Sequence, residues 1–114
     1  MSRADLLALA ARCEAAEGPC RIIDNDIAAA LGWPDAQFTG VAAPYSASLD
    51  AAASLVPEGW RFDSVSYVPI RMKWLCTLEA PDGGILRGAA PTEPLARCAA
   101  ALRARAEGMG DGDG

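Results

Sequence analysis

Arg61, Arg71, Lys73 and Arg87 are the residues whose types and spacing point most directly to chemistry. Arg71 and Lys73 stand two apart, which places them on one face of an extended strand. Arg61 and Arg87 fall in the flanking segments that would pair with that strand. Four cations on one sheet face make a positive patch suited to a phosphate, a nucleotide or an acidic protein surface. The same residues also read as a solvent face balanced by Asp63 and Glu79. Under a covering helix, their long stems would instead lie over apolar surface. Trp33 and Trp60 each follow a glycine that ends a helix, and both are candidates to line a ligand pocket. Equally, they read as anchors closing over a sheet edge.

Other chemistry is poorly supplied. The 114 residues include no histidine, which removes the usual general base at neutral pH and the commonest transition-metal ligand. Ser-His-Asp and Cys-His catalysis are excluded within this chain. Asp24 and Asp26 lack the alternating oxygen ligands and distal glutamate of a calcium loop, and read as helix-capping residues. Glu14 and Glu17 read as a solvated helix face, not as a catalytic pair. Cys13, Cys20, Cys76 and Cys98 form no CxxC spacing, so they read as buried small hydrophobes in a reducing compartment. A Cys13–Cys98 disulfide is open if their helices touch. Gly83-Gly84 follows a strand but opens no helix, so it is no phosphate loop. Ser46 and Ser48 have no base partner and read as caps. The expected inventory is no catalytic residue, no metal and no cofactor.

Hydrophobic residues make up 52% of the chain, but 25 of them are alanine and 34 are larger. That suits one modest core and one domain, residues 1–107, burying roughly two-thirds of its unfolded surface. The formal charge of −5 argues against non-specific nucleic-acid binding. The N-terminal stretch carries Asp5, Arg12 and Glu14, so it reads as neither signal peptide nor membrane span. A cytoplasmic location, with no membrane partner, is the expectation.

The elements that must position these residues follow from periodicity. Residues 3–17 read as an amphipathic helix with Leu6, Leu9, Ala10 and Cys13 on one face. A short helix over 24–31 is capped by Asp24, and another over 49–55 by Ser48. The segment 34–47 reads as a long loop. A strand over 60–68 carries a bulge near Asp63-Ser64. A second strand over 70–78 points Ile70, Met72, Trp74, Cys76 and Leu78 into the core. Pro81-Asp82-Gly83-Gly84 turns the chain into a third strand over 85–89. Thr92 caps the last helix, 93–107, which buries Leu95, Cys98, Ala99 and Leu102 and sets Arg97, Arg103 and Arg105 on its other side. Residues 108–114 read as a disordered Gly/Asp tail. The fold class is α+β: a three-stranded antiparallel meander packed with N-terminal and C-terminal helices, an α/β sandwich.

Three phrases, DIAAALGW at 26–33, SLDAAASLVPEGW at 48–60 and TEPLARCAAALRARA at 92–106, resemble in order and distance the phage ABA sandwich domain family, small proteins of bacteriophages and prophages. The resemblance spans nearly the whole chain apart from residues 34–47 and the tail. It implies an α/β sandwich of phage or prophage origin and carries over no catalytic motif. The expected function is a non-enzymatic protein that binds a host protein and interferes with a host process such as a defence system. Two alternatives stand beside it. One is a small anionic-ligand binder using the Arg/Lys face. The other is an assembly accessory, a homo-oligomer or a partner of another phage protein.

Overall fold

The computed structural model describes residues 3–30 and 44–108. The elements run α1 (Arg3–Ala15), α2 (Arg21–Ala30), α3 (Leu49–Ala53), β1 (Arg61–Val68), β2 (Lys73–Glu79), β3 (Ile85–Ala90) and α4 (Glu93–Gly108). The strands form one antiparallel sheet in the order β1-β2-β3. This is the α+β meander with N- and C-terminal helices that the periodicity predicts. Trp33, most of the 34–47 loop and residues 109–114 lie outside the described residues.

The local signals act where their chemistry places them. Ser48 has extended backbone and its Oγ accepts the Ala51 N–H, closing the first turn of α3. Thr92 does the same for α4 through the Leu95 N–H. In the β2–β3 turn, Asp82 Oδ1 accepts the Gly84 N–H at 3.0 Å and Gly83 takes a φ of +93°. The register between β1 and β2 shifts between Phe62 and Ser64, the predicted bulge.

α4 is the centre of the molecule. Leu95, Ala96, Cys98 through Leu102, Ala104 and Ala106 are all fully buried. The sheet covers one side of this helix; α1 and α3 pack on it elsewhere. A helix buried on several sides needs small side chains for close approach, and this is where much of the alanine goes. At Gly88 of β3 the approach is closest: a Cβ there would lie 2.5 Å from Ala100 N and Ala96 O. Trp74, Cys76 and Leu78 face α4, and their register partners Ala90, Gly88 and Leu86 share that face.

Two expectations about packing are corrected. β2 begins at Lys73, not at Ile70. Pro69 offers no N–H to the ladder, and Val68 already pairs with Lys73, so residues 69–72 are the turn. Ile70 and Met72 are 91% and 72% exposed and belong to no core stripe. The second helix starts at Arg21, so Asp24 lies in its first turn and is no N-cap. Asp24 is buried, accepting the Ser46 N–H at 2.8 Å and an Arg21 N–H at 2.9 Å. Ser46, also buried, accepts the Cys20 N–H and donates its hydroxyl to the Cys20 carbonyl. Together they tie the chain entering α3 to the start of α2.

Candidate functional site

The sheet has two unlike faces. Arg61, Ser64, Ser66 and Val68 of β1 align with Glu79, Thr77, Leu75 and Lys73 of β2, and these with Ile85, Arg87 and Ala89 of β3. This face is opposite α4. The predicted basic residues fall on it only in part. Arg61 is held across the strands by Glu79, with Nε at 3.1 Å and Nη2 at 2.6 Å from the same carboxylate oxygen. Lys73 opens β2 and Arg87 stands mid-way along β3. Arg71 lies in the turn before β2, so it does not share a strand face with Lys73 as its spacing predicted. The four cations are therefore spread from one end of the sheet to the other. One of them is paired with a carboxylate.

Trp60 directly precedes Arg61 in the chain. It lines a cleft of about 370 Å³ with Pro81, Asp82, Ile85, Leu86 and Glu107. An indole beside two carboxylates does not favour an anion; Arg61 lines a neighbouring cleft with Gly59, Glu79 and Pro81. On the α4 face, Phe62, Val56, Cys76, Leu78 and Arg97 line a second cleft of about 180 Å³. There the Arg97 guanidinium stacks 4.4 Å from the Phe62 ring centroid and bonds Glu93.

The arginines that the helical pattern sets on the other side of α4 tie it to neighbouring elements. Arg103 bonds both oxygens of Glu14, at 2.7 and 2.6 Å, and also donates to the Arg87 carbonyl at 2.9 Å. Arg105 Nε donates to the Leu55 carbonyl. Glu14 is thereby removed from the solvated face predicted for it. Its carboxyl is held below the ordinary glutamate range, first by Arg103, with the Ala89 N–H adding to the effect. Glu14 lies 89 residues from Arg103 in sequence, and no local pattern could have joined them.

All four cysteines are free thiols. Cys13 on α1 and Cys98 on α4 are close neighbours, and Cys98 Sγ donates to the Tyr45 carbonyl at 3.1 Å. Among the described residues, no three histidine, cysteine or acidic side chains gather to hold a metal ion. Nor is any described helix long and apolar enough to cross a membrane.

Among the described residues, the most exposed large apolar side chains, Ile70 and Met72, lie on the β1–β2 turn. Ile70 and Met72 project there beside Arg71, above a Tyr67–Trp74 ring pair whose centroids are 5.4 Å apart. The turn is built by two hydrogen bonds, Arg71 N–H to the Val68 carbonyl and Met72 N–H to the Pro69 carbonyl. Met72 sits at a φ of +54°, in the left-handed region. Periodicity hid this feature, because Ile70 and Met72 continue the alternation of β2 into the turn. No family model, no curated protein and no solved structure matches the chain.

Proposed function

We propose that this chain is a non-enzymatic binding protein of phage or prophage kind that covers a surface of a host protein, and that the β1–β2 turn leads the contact. The observation that carries this reading is the exposure of Ile70 and Met72 on a turn fixed by two backbone hydrogen bonds. Large apolar side chains held out in water in a defined geometry are a binding feature more than a folding one. Arg71 at the turn and Lys73 just after it would favour a rim of carboxylates around an apolar recess in the partner. The missing histidine and the resemblance to phage ABA sandwich domains support the non-enzymatic, host-directed part of the reading.

The test is affinity capture from a bacterial lysate with the natural chain and with a doubly substituted Ile70→Asp, Met72→Asp chain. Both positions are exposed, so the variant is expected to fold. One host protein retained in stoichiometric amount by the natural chain and lost by the variant is the expected result. A partner retained equally by both would overturn the role of the turn. Capture of nothing from hosts of several species would count against the binding function.

A further inference from the structure

The two edges of the sheet are treated differently. The β3 edge is closed by side chains: the Ala89 N–H donates to Glu14, and the Arg87 carbonyl accepts from Arg103. Along β1, no strand pairs with the outer edge among the described residues. An unpaired edge is a template for another strand, and proteins blunt it with charges, proline or a bulge. β1 has its bulge at Phe62/Ser64. Beyond it, Ser64-Val65-Ser66-Tyr67-Val68 contains no charge and no proline.

The backbone groups on that edge follow from the ladder. Ala89 and Arg87 turn their N–H and C=O groups outward, away from β2. In an antiparallel ladder, Leu75, opposite Ala89, then turns its groups towards β1. Ser66, opposite Leu75, turns inward to meet it. Val65 and Tyr67 therefore point their N–H and C=O groups outward.

We propose that β1 pairs antiparallel with β1 of a second copy of this chain about a two-fold axis at Ser66, making one six-stranded sheet. In this register Val65 of each copy faces Tyr67 of the other, so the outward groups meet each other. On the α4 side this sets an aromatic against a β-branched residue twice, a favourable cross-strand pair. Tyr67 and Phe62 on that face are 44% and 45% exposed in the single chain. On the opposite side, Ser66 meets Ser66, a small polar pair with no like-charge clash. The pairing spans residues 64–68 of each copy, between the bulge and the β1–β2 turn. The interface is isologous and closes on itself, which limits growth to a dimer. The dimer goes beyond the binding function proposed above and does not rest on it.

The test is the mass of the full chain by light scattering after gel filtration, over a wide concentration range. Twice the 11.8 kDa chain mass is the expected result. Ser66→Lys places two ammonium groups against each other across the axis, on an exposed position whose side chain supports no core. It is expected to be a folded monomer by circular dichroism. Ser66→Cys is the positive counterpart. Cα atoms of a non-hydrogen-bonded antiparallel pair lie about 4.5 Å apart, within disulfide range. Oxidised glutathione should therefore cross-link this variant into a covalent dimer and leave the natural chain uncross-linked. A monomer at every concentration would overturn the proposal. So would a dimer that Ser66→Lys leaves intact and Ser66→Cys does not cross-link.

Discussion

Glu14 and Arg103 meet as a two-oxygen ion pair between α1 and α4, and the same two side chains close the outer edge of β3. One contact thus joins the first helix, the last helix and the sheet. Both side chains are about a quarter exposed, so the pair is partly shielded from solvent. Removing one partner leaves the other charge and an edge backbone group unsatisfied.

Arg103→Ala is expected to lower unfolding stability by about 2 kcal/mol, read by urea denaturation. The pair also has a pH signature. Because the native Glu14 carboxyl is held below its unfolded value, its stabilisation is complete above the ordinary glutamate pKa. It is lost as pH falls through the lowered native value. Glu14→Gln should flatten this acid-side decline. An unchanged slope of stability against pH in that variant would refute the assignment.

Gly88→Ala tests the sheet–helix contact. The added methyl meets backbone atoms of α4 at 2.5 Å, and backbone cannot rotate aside as a side-chain tip can. Separating β3 from α4 would disturb the core contacts of Cys76 and Leu78 as well. A loss of about 3 kcal/mol or failure to fold is expected. Gly18→Ala, where no atom lies within 4 Å, is the control and should change stability little. Equal effects at the two glycines would show that close approach is not the cause.

Much of the fold is legible in local sequence because its signals are local. Ser48, Thr92 and the Asp82-Gly83-Gly84 turn act through hydrogen bonds spanning two or three residues, and the bulge at Asp63 shows as a slip in alternation. The exposed turn proposed to lead binding is not legible in this way. Arg71 and Lys73 keep strand spacing on paper, but Pro69 and the Val68–Lys73 pairing put the turn between them. Alternation in Ile70 and Met72 says apolar and every second residue. It does not say whether a sheet lies beneath. The central position of α4 also had no local mark. An alanine-rich stripe fits a helix packed on one side or on several, and only the arrival of α1, α3 and the sheet decides.

Met72 lies at a φ of +54° on an exposed turn. A side chain there costs about 1–2 kcal/mol relative to a residue free to adopt that conformation. Met72→Gly should therefore raise the thermal midpoint, although glycine also loosens the unfolded chain and offsets part of the gain. If Met72 contacts a partner, the same variant should bind more weakly while folding more stably. A gain in stability with unchanged capture of the host protein would assign the contact to Ile70 alone.

The thiols give a test of burial that needs no substitution. Cys13, Cys76 and Cys98 have no solvent exposure, while Cys20 is half-buried. Burial pushes the Cys76 thiol up to about 11. Cys98 is pushed well above its ordinary value, first by the neighbouring Cys13 thiol and then by burial. The attacking species is the thiolate, so inaccessibility and protonation act together on Cys76 and Cys98. Cys13 is protected by its burial. Ellman's reagent at mildly alkaline pH should label Cys20 in the native protein and the other three only at the rate of unfolding. In denaturant all four should react at once. Rapid native labelling of Cys13 would show that α1 parts from α4 in solution, and with it that the Glu14–Arg103 closure of β3 opens.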